Sequence, residues 1–318
     1  MSSQRNQVPA HQTRYVYQPT SHVMVPTADD QRRQYVWLVR YGRTDPPLRE
    51  NIGNFDSDLH NPDGIAHATS IAKRLASGLT VKDSDESSSS LSDDAVPKTV
   101  YSDPFLRCMR TADVVVKTLS SNNDEIKIRV EEGTTEWQVP SLLVDKDGER
   151  THPRTTEDLV KLFPDTVDVA YRSVNPQGPD RAADGSDDDD DDDGPSRPSR
   201  CHPPRFPETE EQLHRRCQCT IRRILADLGS TDSFVIVGHA PCVQSMALAL
   251  MGGERPEDYP ELGPWSLGGI TLFSRPIGKG GTESDKWTLE FYNDTTHMPG
   301  EYNNGQLGRW SLPSFDRS

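Results

Sequence analysis

Four apolar stretches of this chain each run into polar residues of the kinds that handle anions and protons. VWLV, Val36 to Val39, leads into Arg40, Tyr41, Gly42, Arg43 and Thr44. TVYS, Thr99 to Ser102, leads into Asp103, Pro104 and, one helical turn later, Arg107. IKIRV, Ile126 to Val130, leads into EEGTTEW with Glu136, and FVIV, Phe234 to Val237, into Gly238 and His239. A guanidinium offers a planar fork that matches phosphate oxygens two at a time. A histidine and a carboxylate supply proton transfer near neutral pH. Brought together, these types would bind an anion and move a proton beside it.

The elements that must position them alternate in kind. Tyr35 to Val39 reads as a buried strand. Ile65, Ala68, Ala72, Leu75 and Leu79 recur at helical spacing, and so do Met109, Ala112, Val116 and Leu119 after the TVYS strand. A long helix from about Pro207 to Gly229 carries Leu213, Cys217, Ile221, Leu225 and Leu228 on one face and feeds the FVIV strand. Strands alternating with amphipathic helices predict an α/β fold, a three-layer αβα sandwich around a mostly parallel sheet. ITLFS, Ile270 to Ser274, and KWTLEFY, Lys286 to Tyr292, are expected to extend its edge. Ligands of such sheets sit beyond the carboxyl ends of the strands, where all the residues named above fall.

The chain has 318 residues, and only 32% of them are apolar. Three polar segments dilute that figure: residues 1–33, expected to form a disordered arm; a Ser/Asp-rich insertion at about 81–97; and a second insertion at about 177–204. The second contains seven consecutive aspartates, Asp187 to Asp193, a solvated block that also offers a docking strip to a basic protein partner. One domain over 34–318, carrying both insertions, is the expected organisation. The net charge of −15 argues against a direct nucleic-acid surface. No apolar run approaches the ~18–20 residues of a membrane span, and residues 1–30 contain no apolar leader. The five cysteines are odd in number and lack zinc-ligand or disulfide-framework spacing; Cys108 and Cys242 are expected to pack in the core. A reducing compartment, cytoplasmic or nuclear, is expected, with no metal or cofactor. The oligomeric state is open, a homodimer included.

In order and spacing, LVRxG, YSDPFLRCMRTA and VIVGHAP resemble the histidine phosphatase superfamily, also called phosphoglycerate-mutase-like. The segment from Tyr101 to Trp137, then TTEDLVKLFPDTVDVAYRSVNP and THMPGEYNNGQLGRW, is similar to one branch, the suppressor-of-T-cell-receptor-signalling and ecdysteroid-phosphate phosphatases. The resemblance runs from Gln34 to Leu312 outside the acidic insertions. It implies a two-step phosphoryl transfer in which a histidine attacks phosphorus and a carboxylic acid protonates the leaving oxygen. It further implies phosphate contacts from Arg40, Arg107 and His239, a proton donor at Glu136 with Glu131 and Glu132 as competitors, and either a further phosphate contact or a plain surface arginine at Arg43. The implied substrate is a phosphate-bearing small molecule or phosphoprotein; phosphoglycerate mutase activity is not expected.

The nucleophile position holds Tyr41. A phenol with a pKa near ~10 is ionised about one part in a thousand at pH 7, a handicap of roughly 4 kcal/mol for the reactive form. Two arginines nearby would recover part of that. The longer ring would also project into the space that phosphate needs, and a misplacement of about 1 Å can cost a hundredfold in rate. The residues thus predict a phosphate pocket with impaired catalysis, a pseudophosphatase. The alternatives are an active phosphomonoesterase using Tyr41 or His239, and an interaction subunit using the acidic segments.

Overall fold

Val36 and Leu38 face one side of the central sheet while Tyr35, Trp37 and Val39 face the other, so this strand is apolar on both faces and must be covered twice. It is strand β1, Arg33–Arg40, in a computed structural model that describes residues 33–44, 56–78, 95–120, 125–145, 147–176, 201, 203–228, 233–253, 257, 259, 261–277 and 286–315. The N-terminal arm, the aspartate run and nearly all of the Ser/Asp insertion lie outside the described residues.

In chain order the elements are β1, α1 (Asp63–Ala76), β2 (Thr99–Ser102), α2 (Leu106–Leu119), β3 (Ile128–Val130), α3 (Pro140–Leu143), α4 (Thr156–Leu162), α5 (Glu210–Leu228), β4 (Phe234–Gly238), α6 (Ala240–Leu250), β5 (Ile270–Pro276) and β6 (Thr288–Asp294). The six strands form one sheet in the order β3-β2-β4-β1-β5-β6. The pairs from β3 through β1 are parallel, whereas β5 and β6 add antiparallel at the other edge. Ile71, Leu75, Met109 and Val116 from α1 and α2 cover one face. Leu213, Cys217, Ile221, Val243 and Met246 from α5 and α6 cover the other. The expected three-layer α/β architecture with a mostly parallel sheet is therefore what forms.

Two details differ from the periodicity. Ile65 is 39% exposed, and the buried face of α1 is instead Gly64, His67, Ala68, Ile71, Ala72 and Leu75. A histidine at the interior position hides the true phase of the stripe. Cys201 and Cys219 are joined by a disulfide, Cα atoms 5.5 Å apart, contrary to the expectation of unpaired cysteines. Cys201 reaches α5 through space, which linear spacing does not reveal. Cys108 and Cys242 are buried free thiols.

One buried ion pair holds the loop that delivers Glu136. Arg216 on α5 meets Glu208 through two parallel bonds, Nε to Oε1 at 2.7 Å and Nη2 to Oε2 at 2.8 Å. Its Nη1 donates to the carbonyls of Gly133 and Thr135, both at 2.9 Å. Gly133 fits because it has no side chain, since a Cβ there would lie 2.4 Å from Thr220 Oγ1 and 2.8 Å from Asn175 Cβ. Removing one partner of a buried pair strands the other charge at a cost of about 3–5 kcal/mol. Glu208→Ala should lower the unfolding free energy by about that much in urea denaturation, and Glu208→Gln by less, because the amide oxygen still accepts from Arg216.

Candidate functional site

The carboxyl ends of β1, β4 and β2 lie side by side, and four of the strand-end residues singled out in the sequence, Asp103, Arg107, Glu136 and His239, converge there. His239 leaves β4 as the residue before α6, and its ring is 1% exposed. Its Nδ1 lies 2.5 Å from Glu136 Oε2, and its Nε2 3.3 Å from Asp103 Oδ1. Arg107, in the first turn of α2, donates from Nη2 to Glu136 Oε2 at 3.4 Å, with the same nitrogen 3.1 Å from His239 Nδ1. Asp103 turns the chain from β2 into α2 by accepting the Phe105 N–H at 2.6 Å on Oδ1, while its Oδ2 is buried with no partner among the described residues.

Tyr41 lies in the middle of this group. It is 1% exposed, with its ring 5.2 Å from the His239 ring in an edge-on arrangement. The guanidinium carbons of Arg107 and Arg40 stand 5.0 and 5.6 Å from its centroid, within cation–π range. The main chain is fixed on both sides: the Tyr41 N–H donates to Gly238 O, the Gly268 N–H to Tyr41 O, and the Gly42 N–H to Thr111 Oγ1. Gly42 allows α1 to come close, because a Cβ there would sit 2.9 Å from the Gly64 carbonyl.

The charges are internally balanced. Burial disfavours the ionised form of Glu136, but the His239 and Arg107 charges prevail and bring its carboxyl down to about 2. Burial likewise opposes charge on His239, yet Cys108, Glu136 and Asp103 together hold its pKa well above the usual value. Burial pushes the Cys108 thiol up to about 11, so near neutral pH it contributes no thiolate and the two carboxylates carry the effect. At neutral pH His239 and Arg107 are charged and face Glu136 as a carboxylate, with Asp103 on the other side of the ring.

The other expected residues are placed elsewhere or otherwise engaged. Arg40 Nη1 donates to the carbonyls of Trp265 at 2.5 Å and Gly308 at 2.6 Å, tying the C-terminal segment to β1, and its Nε is buried without a partner among the described residues. Arg43 Nη1 donates to Asp63 Oδ2 and to Tyr302 Oη, each at 2.9 Å, so it engages α1 and the C-terminal segment. Of the three competing glutamates, Glu136 reaches His239. Glu131 accepts instead from Tyr171, Ser173, Gly133 and Val174 and closes a turn. Asp103 stood at a strand end in the sequence, but only its fold partner His239 gives it a role.

No family model matches the chain, and no curated protein matches it. Among solved structures it is similar to a phosphoserine phosphatase mutant from Entamoeba histolytica bound to phosphoserine, at 17% identity over 83% of this chain and 99% of that one, TM-score 0.45. It is similar to the ecdysone phosphate phosphatase of Bombix mori in complex with tungstate, at 16% identity over 87% and 98%, TM-score 0.48. It is also similar to a mycobacterial glucosyl-3-phosphoglycerate phosphatase, at 17% identity over 82% and 99%, TM-score 0.47. No helix among the described residues is long and apolar enough to cross a membrane.

A second polar group underlies Gly42. His67 is fully buried with neither ring nitrogen hydrogen-bonded among the described residues, its ring 4.8 Å from Tyr302. Burial lowers its pKa to about 4; Asp63 opposes this, while Arg43, His297 and His60 add to it. A histidine depressed in the folded state stabilises above its unfolded pKa of ~6.5, and that contribution is lost as pH falls from there towards 4. The loss amounts to about 3 kcal/mol at ~1.36 kcal/mol per pKa unit. His67→Leu should therefore flatten the stability profile between pH 6.5 and 4, measured by chemical denaturation, and leave stability at pH 7.5 equal or higher.

Proposed function

We propose that this chain is a phosphatase-fold protein that recognises a phosphate group at the carboxyl edge of its sheet but turns it over poorly or not at all. The observation that carries this is the Tyr41 ring, buried among Arg40, Arg107 and His239. Those are the cations that would surround a phosphoryl group, and an aromatic ring fills the volume between them. Tyr41 also belongs to the apolar core formed with Trp37, Val39 and Ile71, so its position is supported by packing.

Phosphoryl transfer needs a nucleophile in line and, for a poor leaving group, an acid to protonate the departing oxygen. A ring that occupies the phosphoryl volume offers no in-line approach of its hydroxyl to a phosphorus held by the same cations. Glu136 is held as a carboxylate by His239 and Arg107, the wrong protonation state for an acid at neutral pH. Arg107 and His239 spend their charge on Glu136 and Asp103 instead of a ligand. Anion recognition then requires the Tyr41 ring to swing away, which weakens binding by the cost of leaving its packed position. The ligand class is a phosphate monoester, on a small molecule or a protein.

The native chain should release no phosphate from an aryl phosphate above background, and vanadate should bind weakly. Tyr41→Ala should open the cup and tighten vanadate at least tenfold by calorimetry. Tyr41→His should form a phosphohistidine on residue 41, detected by mass spectrometry under alkaline conditions, with measurable turnover. Native turnover in the ordinary range of ~1–1000 per second, abolished in Tyr41→Phe, would overturn this reading.

A further inference from the structure

Two of the buried groups around His239 have no part in phosphate recognition, and both approach the same ring nitrogen. Cys108 Sγ lies 3.5 Å from His239 Nε2, and Asp103 Oδ1 lies 3.3 Å from it. A sulfur, a nitrogen and a carboxylate oxygen of these three residues all fall within 4.8 Å of one another, and all three residues are buried. Zinc bonds of ~2.3 Å to sulfur and ~2.0–2.1 Å to nitrogen or oxygen, at tetrahedral angles, place N and S about 3.5 Å apart and N and O about 3.4 Å apart. The observed separations match both.

We propose that Asp103, Cys108 and His239 form a binding site for Zn²⁺ or a similar borderline divalent metal, with the fourth tetrahedral position left open to water or an anion. Two further features suit a metal. His239 directs Nδ1 at Glu136 Oε2, the carboxylate–histidine–metal relay that fixes a ligating imidazole with Nε2 turned to the ion. Asp103 is fully buried, with Oδ1 accepting from Phe105 and Oδ2 unpartnered among the described residues, so the carboxylate keeps capacity to accept from a cation. The donor set of thiol, imidazole and one carboxylate favours zinc or cobalt over magnesium or calcium, which take oxygen ligands. On binding, the thiol gives up its proton to solvent, as does the ring nitrogen Nε2 where it is protonated, and the metal takes both lone pairs. Neither the donors nor their spacing depends on whether Tyr41 permits turnover.

The ligands come from three places in the fold: the end of β2, the first turn of α2 and the residue after β4. Asp103 and Cys108 are close in sequence, but His239 arrives only because β4 lies beside β2 in the sheet. The site is thus invisible to ligand-spacing rules, which is why the cysteine pattern alone predicts no metal.

The test uses the full chain, stripped of metal and titrated with Zn²⁺ against a chromophoric chelator, then loaded with Co²⁺. One tight equivalent of zinc, a thermal midpoint raised by it, and a Co²⁺ spectrum with thiolate charge-transfer and tetrahedral d–d bands are expected. Cys108→Ser should lose the charge-transfer band and weaken zinc at least a hundredfold; Glu136→Gln should weaken it ten- to a hundredfold while keeping the band. Tight zinc unchanged in Cys108→Ser would place the metal at another site, such as the Cys217 and Cys242 thiols, and overturn the proposal. Should Cys108→Ser fail to fold, Glu136→Gln decides, since unaltered affinity there overturns it. A native Co²⁺ spectrum without a thiolate band overturns it whatever the variants do.

Discussion

Arg107, His239, Glu136 and Asp103 are buried together at the carboxyl ends of β1, β2 and β4, and the structure around them holds opposite charges in contact. An ion moved from water into a protein interior costs several kcal/mol even after relaxation, and only close, well-directed partners offset it. His239, Glu136, Arg107 and Asp103 are each within 3.4 Å of another member of the set. The supports lie behind them. Arg216 and Glu208 hold the loop of Glu136 through two backbone carbonyls. Thr111 and the Gly238 carbonyl hold the main chain around Tyr41. Arg40 holds the C-terminal segment against β1.

Much of this was legible before any coordinates because parallel sheets write their plan into sequence. FVIV and VWLV are apolar on both faces, so they must be central strands, and a central strand ends where ligands bind. Placing Arg107, Glu136 and His239 at one edge needed nothing more than strand ends. What stayed hidden depended on three-dimensional partnership. Glu131 and Glu136 are equivalent as letters; they separate only when Tyr171 and Ser173 claim one and His239 the other. Arg43 lies three residues beyond Arg40, yet α1 brings Asp63 to it first. His67 broke the expected stripe of α1 because a histidine is not counted as apolar, although here it is wholly buried.

Tyr41 has a different meaning in the fold from the one it has in the sequence. Beside an arginine and a glycine turn it looked like a substituted nucleophile. In place, its ring sits among the charged residues, with the guanidinium carbons of Arg107 and Arg40 5.0 and 5.6 Å from its centroid and the His239 ring edge-on to it. An aromatic face attracts cations through its quadrupole, by about 0.5–2 kcal/mol for each desolvated contact. It therefore does part of what a bound anion would do for Arg40 and Arg107, without carrying charge.

The same contacts account for how the charged residues can hold one another in place whatever the pocket does. With the Tyr41 ring among them, Arg107, Glu136 and His239 look dispensable to the fold. They are not independent of one another. Removing Glu136 alone leaves His239 and Arg107 as like charges 3.1 Å apart in a buried site, and removing His239 alone leaves Glu136 and Asp103 short of a partner. Each single loss costs about as much as breaking a buried ion pair, roughly 3–5 kcal/mol, a large share of the 5–15 kcal/mol that holds a typical domain together. The four charged residues thus form a structural unit, its members retained by one another. An intact ring of charged residues is accordingly weak support for catalysis, and the weight falls on the residue that occupies the centre.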